Sequence, residues 1–168
     1  MISITLDTKK CMSELLLRET FDTFLFIEGE ITTFNTFSID GYIHPEFYGS
    51  EAQESQAEPV TASGYSTWDQ VREFCFSIIR GKRTPLDFKL IFSLPEQRIR
   101  GLIDEKKLDF QPESVQGLYL NFRYDGTKLT CTTGTSLHIF TLDKSLEHGF
   151  DQWVREFFTG KGIEWEEA

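Results

Sequence analysis

Four basic residues form the one local group of charge in this sequence that we single out as a candidate binding site. Arg80, Lys82 and Arg83 follow one stretch of helical periodicity, and Lys161 follows another. Cations just beyond a helix C-terminus complement the helix dipole, typically by about 0.3–1 kcal/mol each, so they have a structural use without any ligand. The same charges could contact an anion, and the four residues are therefore our candidates for anion or partner binding.

A second candidate site is Gly134-Thr135-Ser136, where a hydroxyl side chain stands two residues before His138. A serine hydrolase needs its nucleophile on a strained turn, and the G-x-S-x-G pattern of such a turn is absent. The ordinary interpretation is a strand connection rich in hydroxyl groups. The alternative is a small-molecule enzyme whose hydroxyl and carboxyl groups converge in a cleft around Gly134–Ser136.

The sequence contains no pattern that predicts a metal or a cofactor. His44, His138 and His148 do not stand at metal-ligand spacing, and no H-E-x-x-H motif occurs. A G-x-x-x-x-G-K-[ST] loop, which would hold nucleotide phosphates, is also missing. We therefore predict no metal site and no cofactor, and we assign no residue a catalytic role.

The net charge limits the partners that the chain could bind. Its 168 residues include 27 acidic and 17 basic side chains, which gives a formal net charge of −10. Such a charge favours solubility and weakens any general attraction to phosphate backbones. Nucleic acid could bind only through a local basic patch, and the expected partner is an unidentified protein or a second copy of the chain.

The same composition predicts a cytoplasmic protein that does not enter a membrane. No apolar run approaches the roughly 20 residues that cross a bilayer, and residues 1–10 lack the apolar region of a signal peptide. The three cysteines, Cys11, Cys75 and Cys131, are odd in number and have no C-x-x-C spacing. Buried thiols in a reducing compartment are the simplest interpretation.

The beginning of the chain predicts a strand, a helix and then antiparallel strands. Met1–Leu6 alternates apolar and polar residues, and Asp7 is placed to cap the helix that follows. A second alternating stretch breaks at Gly29 and resumes until Asp40-Gly41, which predicts two or three strands.

Residues 45–66 are rich in Glu, Ser and Gly and predict a mobile acidic surface loop, with an acidic docking segment as the alternative. Thr67 then begins a capping box at the start of a helix. The apolar residues that follow at helical spacing, and that we expect in the core, are Val71, Phe74, Cys75, Ile78 and Ile79.

The rest of the chain predicts the same order of elements again. Phe88–Phe92 alternates as a strand, and Ser93–Glu96 reads as a capping box for the next helix. Asp125-Gly126 predicts a tight turn between two strands, Gly134 interrupts the second of them, and residues 137–142 form a third. A final helix carries an apolar stripe of Leu146, Phe150, Trp153, Val154, Phe157 and Phe158.

This repeated order suggests an internal duplication of about residues 1–83 and 86–162. Trp68–Phe74 resembles Phe150–Phe157, and a Gly-Lys pair follows each helix. The acidic loop would then be an insertion at a surface connection of one copy. The alternative is chance, because amphipathic helices repeat similar residues easily.

Two resemblances extend this interpretation. Arg80–Pro85 and Cys131–Ser136 resemble an uncharacterised bacterial family that is classed only as a domain of unknown function. The strand, helix and antiparallel strands, with a hairpin at Asp125–Thr130, also resemble the repeated unit of DNA sliding clamps. The clamp resemblance implies a fold, and any clamp role would need partners or self-assembly because the chain supplies too few units for a ring.

We therefore predict an α+β fold for residues 1–168: one domain of two related halves, with an antiparallel sheet covered on one side by helices. The predicted function is that of a non-catalytic intracellular binding or scaffold protein, with a clamp-like accessory factor as one form of it.

Overall fold

The computed structural model describes residues 1–49 and 63–168, and in these residues four α-helices lie against a seven-stranded antiparallel sheet. The strands are β1 (Ser3–Leu6), β2 (Leu25–Thr32), β3 (Thr36–Asp40), β4 (Asp87–Ser93), β5 (Val115–Tyr124), β6 (Leu129–Leu137) and β7 (Trp165–Glu167). The helices are α1 (Thr8–Leu16), α2 (Trp68–Ile79), α3 (Glu96–Glu105) and α4 (Ser145–Gly160). The predicted α+β class is confirmed.

The sheet has the strand order β3-β2-β4-β5-β6-β1-β7, and every pairing is antiparallel. Strands of the two halves are therefore interleaved: β4 lies between β2 and β5, and β1 lies between β6 and β7. Along the chain, β1-α1-β2-β3-α2 is followed by β4-α3-β5-β6-α4. The order of elements recurs, but β1 and β4, which the proposed duplication matches, have different neighbours in the sheet.

One face of the sheet is covered by the helices. Phe88, Leu90 and Phe92 of β4 are buried, whereas Asp87 before Phe88 and Lys89 after it are exposed. This alternation is the two-residue period of a strand with one face toward the core. The buried residues of the helices belong to the same cluster, so the described residues share one core.

Aromatic rings fill the centre of this core. Phe21 lies 5.9 Å from Phe92, 5.5 Å from Phe122 and 5.6 Å from Phe157, measured between ring centroids. Trp68 is completely buried, and its indole N–H donates to the Leu15 carbonyl at 2.7 Å. This hydrogen bond joins the start of α2 to the end of α1, where helix carbonyls lack partners within the helix.

Two predicted strand boundaries are wrong. The break expected at Gly29 lies instead at residues 33–35. Gly29 is inside β2, where the lack of a side chain makes room for those of Phe26 and Leu90. The interruption expected at Gly134 does not occur either, since β6 passes through Gly134 opposite Tyr119. The third strand predicted at residues 137–142 is not formed: only Leu137, the last residue of β6, is in a strand.

The predicted helix starts are partly confirmed. At α2, the Thr67 N–H donates to the Gln70 side-chain oxygen at 3.1 Å, as a capping box requires. Asp7 stands at the start of α1 but its side chain makes no capping hydrogen bond. The capping box expected at Ser93–Glu96 is wrong, because Ser93 is the buried last residue of β4 and Pro95 occupies the cap position of α3.

The acidic loop predicted at residues 45–66 lies largely outside the described residues. Its described ends are joined to each other: the Ile43 N–H donates to the Gly64 carbonyl and the Ser66 N–H to the Gly41 carbonyl, both at 2.8 Å. Gly41 is needed at this junction, because a Cβ there would lie 1.7 Å from the Phe26 carbonyl oxygen. The two described ends of this segment therefore lie side by side, next to β2.

Candidate functional site

The basic residues Arg80, Lys82 and Arg83 lie on the connection between α2 and β4. Both ends of this connection are fixed by the backbone. At its start the Arg80 N–H donates to the Phe76 carbonyl at 2.8 Å, and at its end the Leu86 N–H donates to the Thr32 carbonyl at 2.9 Å. The three cations are therefore held between the end of a helix and the start of a central strand.

The β5–β6 hairpin lies directly beside this connection. Its predicted turn is confirmed: the Asp125 carboxylate accepts the N–H groups of Thr127 and Lys128 at 2.9 Å, and Gly126 has a φ of 95°. The Lys128 N–H and then the Thr127 N–H lower the pKa of Asp125. A Cβ at Gly126 would lie 2.9 Å from the Leu86 carbonyl oxygen, so glycine permits both the turn and this close approach.

The three cations of this connection are exposed and have no anionic partner among residues 1–49 and 63–168. No carboxylate of these residues lies within 4.0 Å of Arg80, Lys82 or Arg83. Several cations elsewhere are paired, for example Lys106 with Glu156 at 3.0 Å and Arg155 with Glu167 at 2.7 Å, and the other unpaired cations of the described residues stand apart from one another in sequence. In a chain with an excess of acid, three unpaired cations within four residues are a concentration of available positive charge.

A groove of about 430 Å³ runs along the outer side of this connection. We call it the basic-apolar groove and define it by six residues: Phe34, Ile78, Arg80, Lys82, Arg83 and Leu86. Phe34, in the turn between β2 and β3, is 86% exposed, and Leu86 is 66% exposed. The groove therefore combines free cations with large apolar side chains that the fold does not cover.

A smaller cavity of about 180 Å³ lies on the inner side of the same connection. It shares Arg80 and Arg83 with the basic-apolar groove. Its other walls come from the start of α1, the end of α2 and the adjoining strands, and they are formed by Thr8, Met12, Ile79, Gly81, Thr84, Pro85, Phe88 and Tyr124. The two arginines thus border a second, mainly apolar space as well as the groove.

Lys161, the fourth predicted residue, lies at the end of α4. Its backbone N–H donates to the carbonyls of Phe157 and Phe158 at 3.1 and 3.2 Å, and its ammonium lies 5.8 Å from the centre of the Phe157 ring. Among the described residues, those that line the basic-apolar groove and the smaller cavity do not include Lys161. The structure thus brings three of the four candidate cations together.

The alternative site at Gly134–Ser136 lies on β6. The Ser136 hydroxyl donates to the Gln116 side-chain oxygen at 2.7 Å, on the exposed surface of the β5–β6 pair. The His138 N–H donates to the Ser114 carbonyl at 2.8 Å, which fixes the backbone there. The partner of the Ser136 hydroxyl is an amide, which cannot act as the general base that serine nucleophiles require.

All three cysteines are buried and free. Burial raises the pKa of Cys75 to about 12 and also raises the pKa values of Cys11 and Cys131. A thiol reacts through its thiolate, so these residues lack the activated form that a catalytic cysteine needs. Within the described part of the chain, no group of three or more His, Cys, Asp or Glu residues could hold a metal ion.

No helix in residues 1–49 or 63–168 is long and apolar enough to cross a membrane.

With the fold and the site described, the chain can be compared with known proteins. Residues 14–166 match the Family of unknown function (DUF5721). The chain belongs to this family. The sequence-based resemblance to a family of unknown function is thus confirmed, and membership assigns no activity. No curated protein and no solved structure matches the chain.

The apolar half of the groove was missed by sequence reasoning. Phe74 and Ile78 were expected in the core, but Phe74 is 66% exposed and Ile78 is only half-buried. The signal was present in the width of the apolar band on α2. Cys75 and Ile79 fill the core-facing side of the last turns, so Ile78 packs only at the margin of the core and Phe74 is left exposed.

Proposed function

We propose that this protein is a non-catalytic binding protein that docks an anionic partner in the basic-apolar groove. The observation that carries the proposal is the set of unpaired cations Arg80, Lys82 and Arg83 on an otherwise acidic chain. Positive charge that is not neutralised within the fold is available to an incoming anion. The exposed apolar residues beside it favour a binding surface, since surface apolar patches mark interaction sites.

The proposal includes an intracellular, cytoplasmic location, which is supported by the buried free thiols. It also includes the internal duplication, supported by the repeated strand, helix, two strands and helix. Superposition of residues 1–83 on 86–162 tests the duplication, with α2 and α4 expected at equivalent places. A clamp-like accessory role is supported only by the shared order of elements, and it would require self-assembly or partner proteins.

The experiment for the proposed function compares two triple variants with equal charge changes. One carries Arg80→Gln, Lys82→Gln and Arg83→Gln in the groove. The control carries Lys9→Gln, Lys107→Gln and Arg123→Gln, which are also exposed and unpaired among the described residues. The probes are a fluorescent polyglutamate peptide, a fluorescent oligo-dT and inorganic tripolyphosphate, each titrated at several salt concentrations.

We expect at least one anionic probe to bind, with an affinity that falls as salt screens the charges. The groove variant should weaken this binding by about tenfold or more, and the control by about twofold or less, because only local contacts are strongly felt at physiological salt. Failure of all three probes to bind at low salt, or an equal loss in both variants, would show that the groove cations are not a binding site.

A further inference from the structure

We infer that the partner of the basic-apolar groove is an acidic protein segment that carries a large apolar side chain as its anchor. This inference rests on the proposed function and adds the chemical class of the partner. The groove has two properties that such a segment satisfies together: its lining includes unpaired cations and also exposed apolar side chains. Only a partner with both negative charge and an apolar side chain would gain binding energy from the cations and from the apolar residues.

The apolar surface is larger than the groove lining alone. Phe74 and Ile78 stand four residues apart on α2, so their side chains are neighbours on one side of the helix. Ile78 lines the groove together with Phe34 and Leu86. The apolar surface therefore extends from the turn after β2 to the middle of α2, and burying it would add a favourable contribution that an inorganic anion cannot provide.

The mixture of side chains favours a peptide over a nucleic acid. Single-stranded nucleic acids bind through rings on which bases stack, in a charged groove that follows the backbone. Here Phe34 is the one aromatic residue lining the groove, and its ring meets that of Phe37 edge to face at 5.9 Å. Ile78 and Leu86 are aliphatic and suit an aliphatic or aromatic side chain of a protein.

The overall charge supports the same choice. A long polyanion would have to follow a surface with a formal net charge of −10, whereas a short acidic segment needs only the three cations of the groove. Carboxylates pair well with arginine because the guanidinium offers a fork of donors, and Arg80 and Arg83 supply two of these. The apolar anchor would then fix the position of a segment that charge alone would hold loosely.

The test uses two fluorescent peptides that differ only at their centre. Both are short runs of glutamate and aspartate, one with a central Leu-Phe pair and one with Ser-Ser. Each is titrated against the full chain and two double variants. Phe34→Ser with Leu86→Ser alters the groove, and Phe140→Ser with Leu142→Ser is the control, because Phe140 and Leu142 are 91% and 83% exposed outside it.

We expect the Leu-Phe peptide to bind the unmodified chain at least about tenfold more tightly than the Ser-Ser peptide, as burial of one large apolar side chain allows. The groove variant should lose this advantage and the control variant should keep it. All three proteins are compared first by urea denaturation, and since the altered residues are exposed we expect similar midpoints. A groove variant with a much lower midpoint is replaced by Leu86→Ser alone, for which the same loss is expected.

Three results would overturn the inference. Equal binding of both peptides, still weakened by neutralising Arg80, Lys82 and Arg83, would leave the proposed function intact but remove the apolar anchor. Tighter binding of oligo-dT than of either peptide would make the partner a nucleic acid. Concentration-dependent dimerisation of the unmodified chain in sedimentation, lost in the Phe34 and Leu86 variant, would identify a second copy as the occupant.

Discussion

Helices α2 and α4 carry similar sequences, and the fold uses them differently. Each contains Arg-Glu-Phe and has a Gly-Lys pair at or just after its end, but Phe74 of α2 is exposed while Phe157 of α4 stacks on Trp153 at 5.0 Å. The α4 helix contacts α3 and the interior strand β6. The α2 helix contacts α1 and β2, which is next to the edge strand β3. The similar apolar bands are therefore better covered on α4, where Phe157 is half-buried, than on α2, where Phe74 is exposed.

The segments that follow the two helices also differ in how far the fold covers their side chains. After α4, the chain turns at Lys161 and buries Ile163 before entering β7. After α2, residues 80–86 leave three cations unpaired among the described residues, together with an exposed Leu86. The comparison shows that a helix end of similar composition closes the fold in one place and presents a surface in the other.

The first test asks whether the core-facing side of α2 is protected from solvent even though Phe74, on the same helix, is exposed. Because burial raises the pKa of Cys75 to about 12, we expect its reaction with an aromatic disulfide reagent at pH 8 to be about a thousandfold slower than in urea, where the pKa is about 8.5. The measurement is the absorbance of the released thiolate. A fast-reacting thiol in the native protein would mean that α2 opens readily.

The same raised pKa has a consequence for stability. A thiol that holds its proton more strongly in the folded state stabilises the fold fully below about pH 8.5, and this contribution is lost as pH rises toward the folded value of about 12. Urea midpoints should therefore decrease above about pH 9, and less so for Cys75→Ala.

The second test removes the matched phenylalanines. Phe157→Ala should reduce the free energy of unfolding by about 2–3 kcal/mol, somewhat below the usual cost for a fully buried ring, because Phe157 contacts four aromatic rings but is only partly buried. Phe74→Ala should change it by less than about 0.5 kcal/mol. Urea denaturation measures both, and a similar loss in both variants would contradict the difference between the two helices.

The third and smallest test compares the matched lysines. Lys161→Ala should cost about 0.5 kcal/mol, because its ammonium lies over the Phe157 ring at an exposed site. Lys82→Ala should leave stability unchanged within error and weaken binding of the acidic peptides. If Lys161→Ala weakened that binding as much, the two helix ends would have the same role and Lys161 would belong to the site as first predicted.

The sequence predicts the order of elements well because this order depends on local periodicity and turn residues. The Asp125-Gly126 hairpin and the Thr67 helix start were both read correctly, since their signals lie within four residues. The breaks expected at Gly29 and Gly134 were wrong because Gly29 makes room for Leu90 and Gly134 is paired with Tyr119 across the sheet, and both partners are distant in sequence.

The site was half predictable for the same reason. Charge is visible in the sequence, so Arg80, Lys82 and Arg83 could be proposed as candidates from it, and the structure places them along one groove. Which apolar residues remain uncovered depends on where each helix lies over the sheet, and Phe34, Ile78 and Leu86 could not be assigned to a surface without that information.

The interleaving of the strands affects how the chain can fold during synthesis. Strand β1 pairs Ile4 with Cys131 of β6 and Leu6 with Trp165 of β7. Both neighbours leave the ribosome long after β1, and pairing between such distant segments carries a high contact order, which slows folding. Strand β1 must therefore wait unpaired until the residues up to β6 have been made. A ribosome-bound nascent chain that ends before β6 would expose the apolar residues of β1 to chaperones.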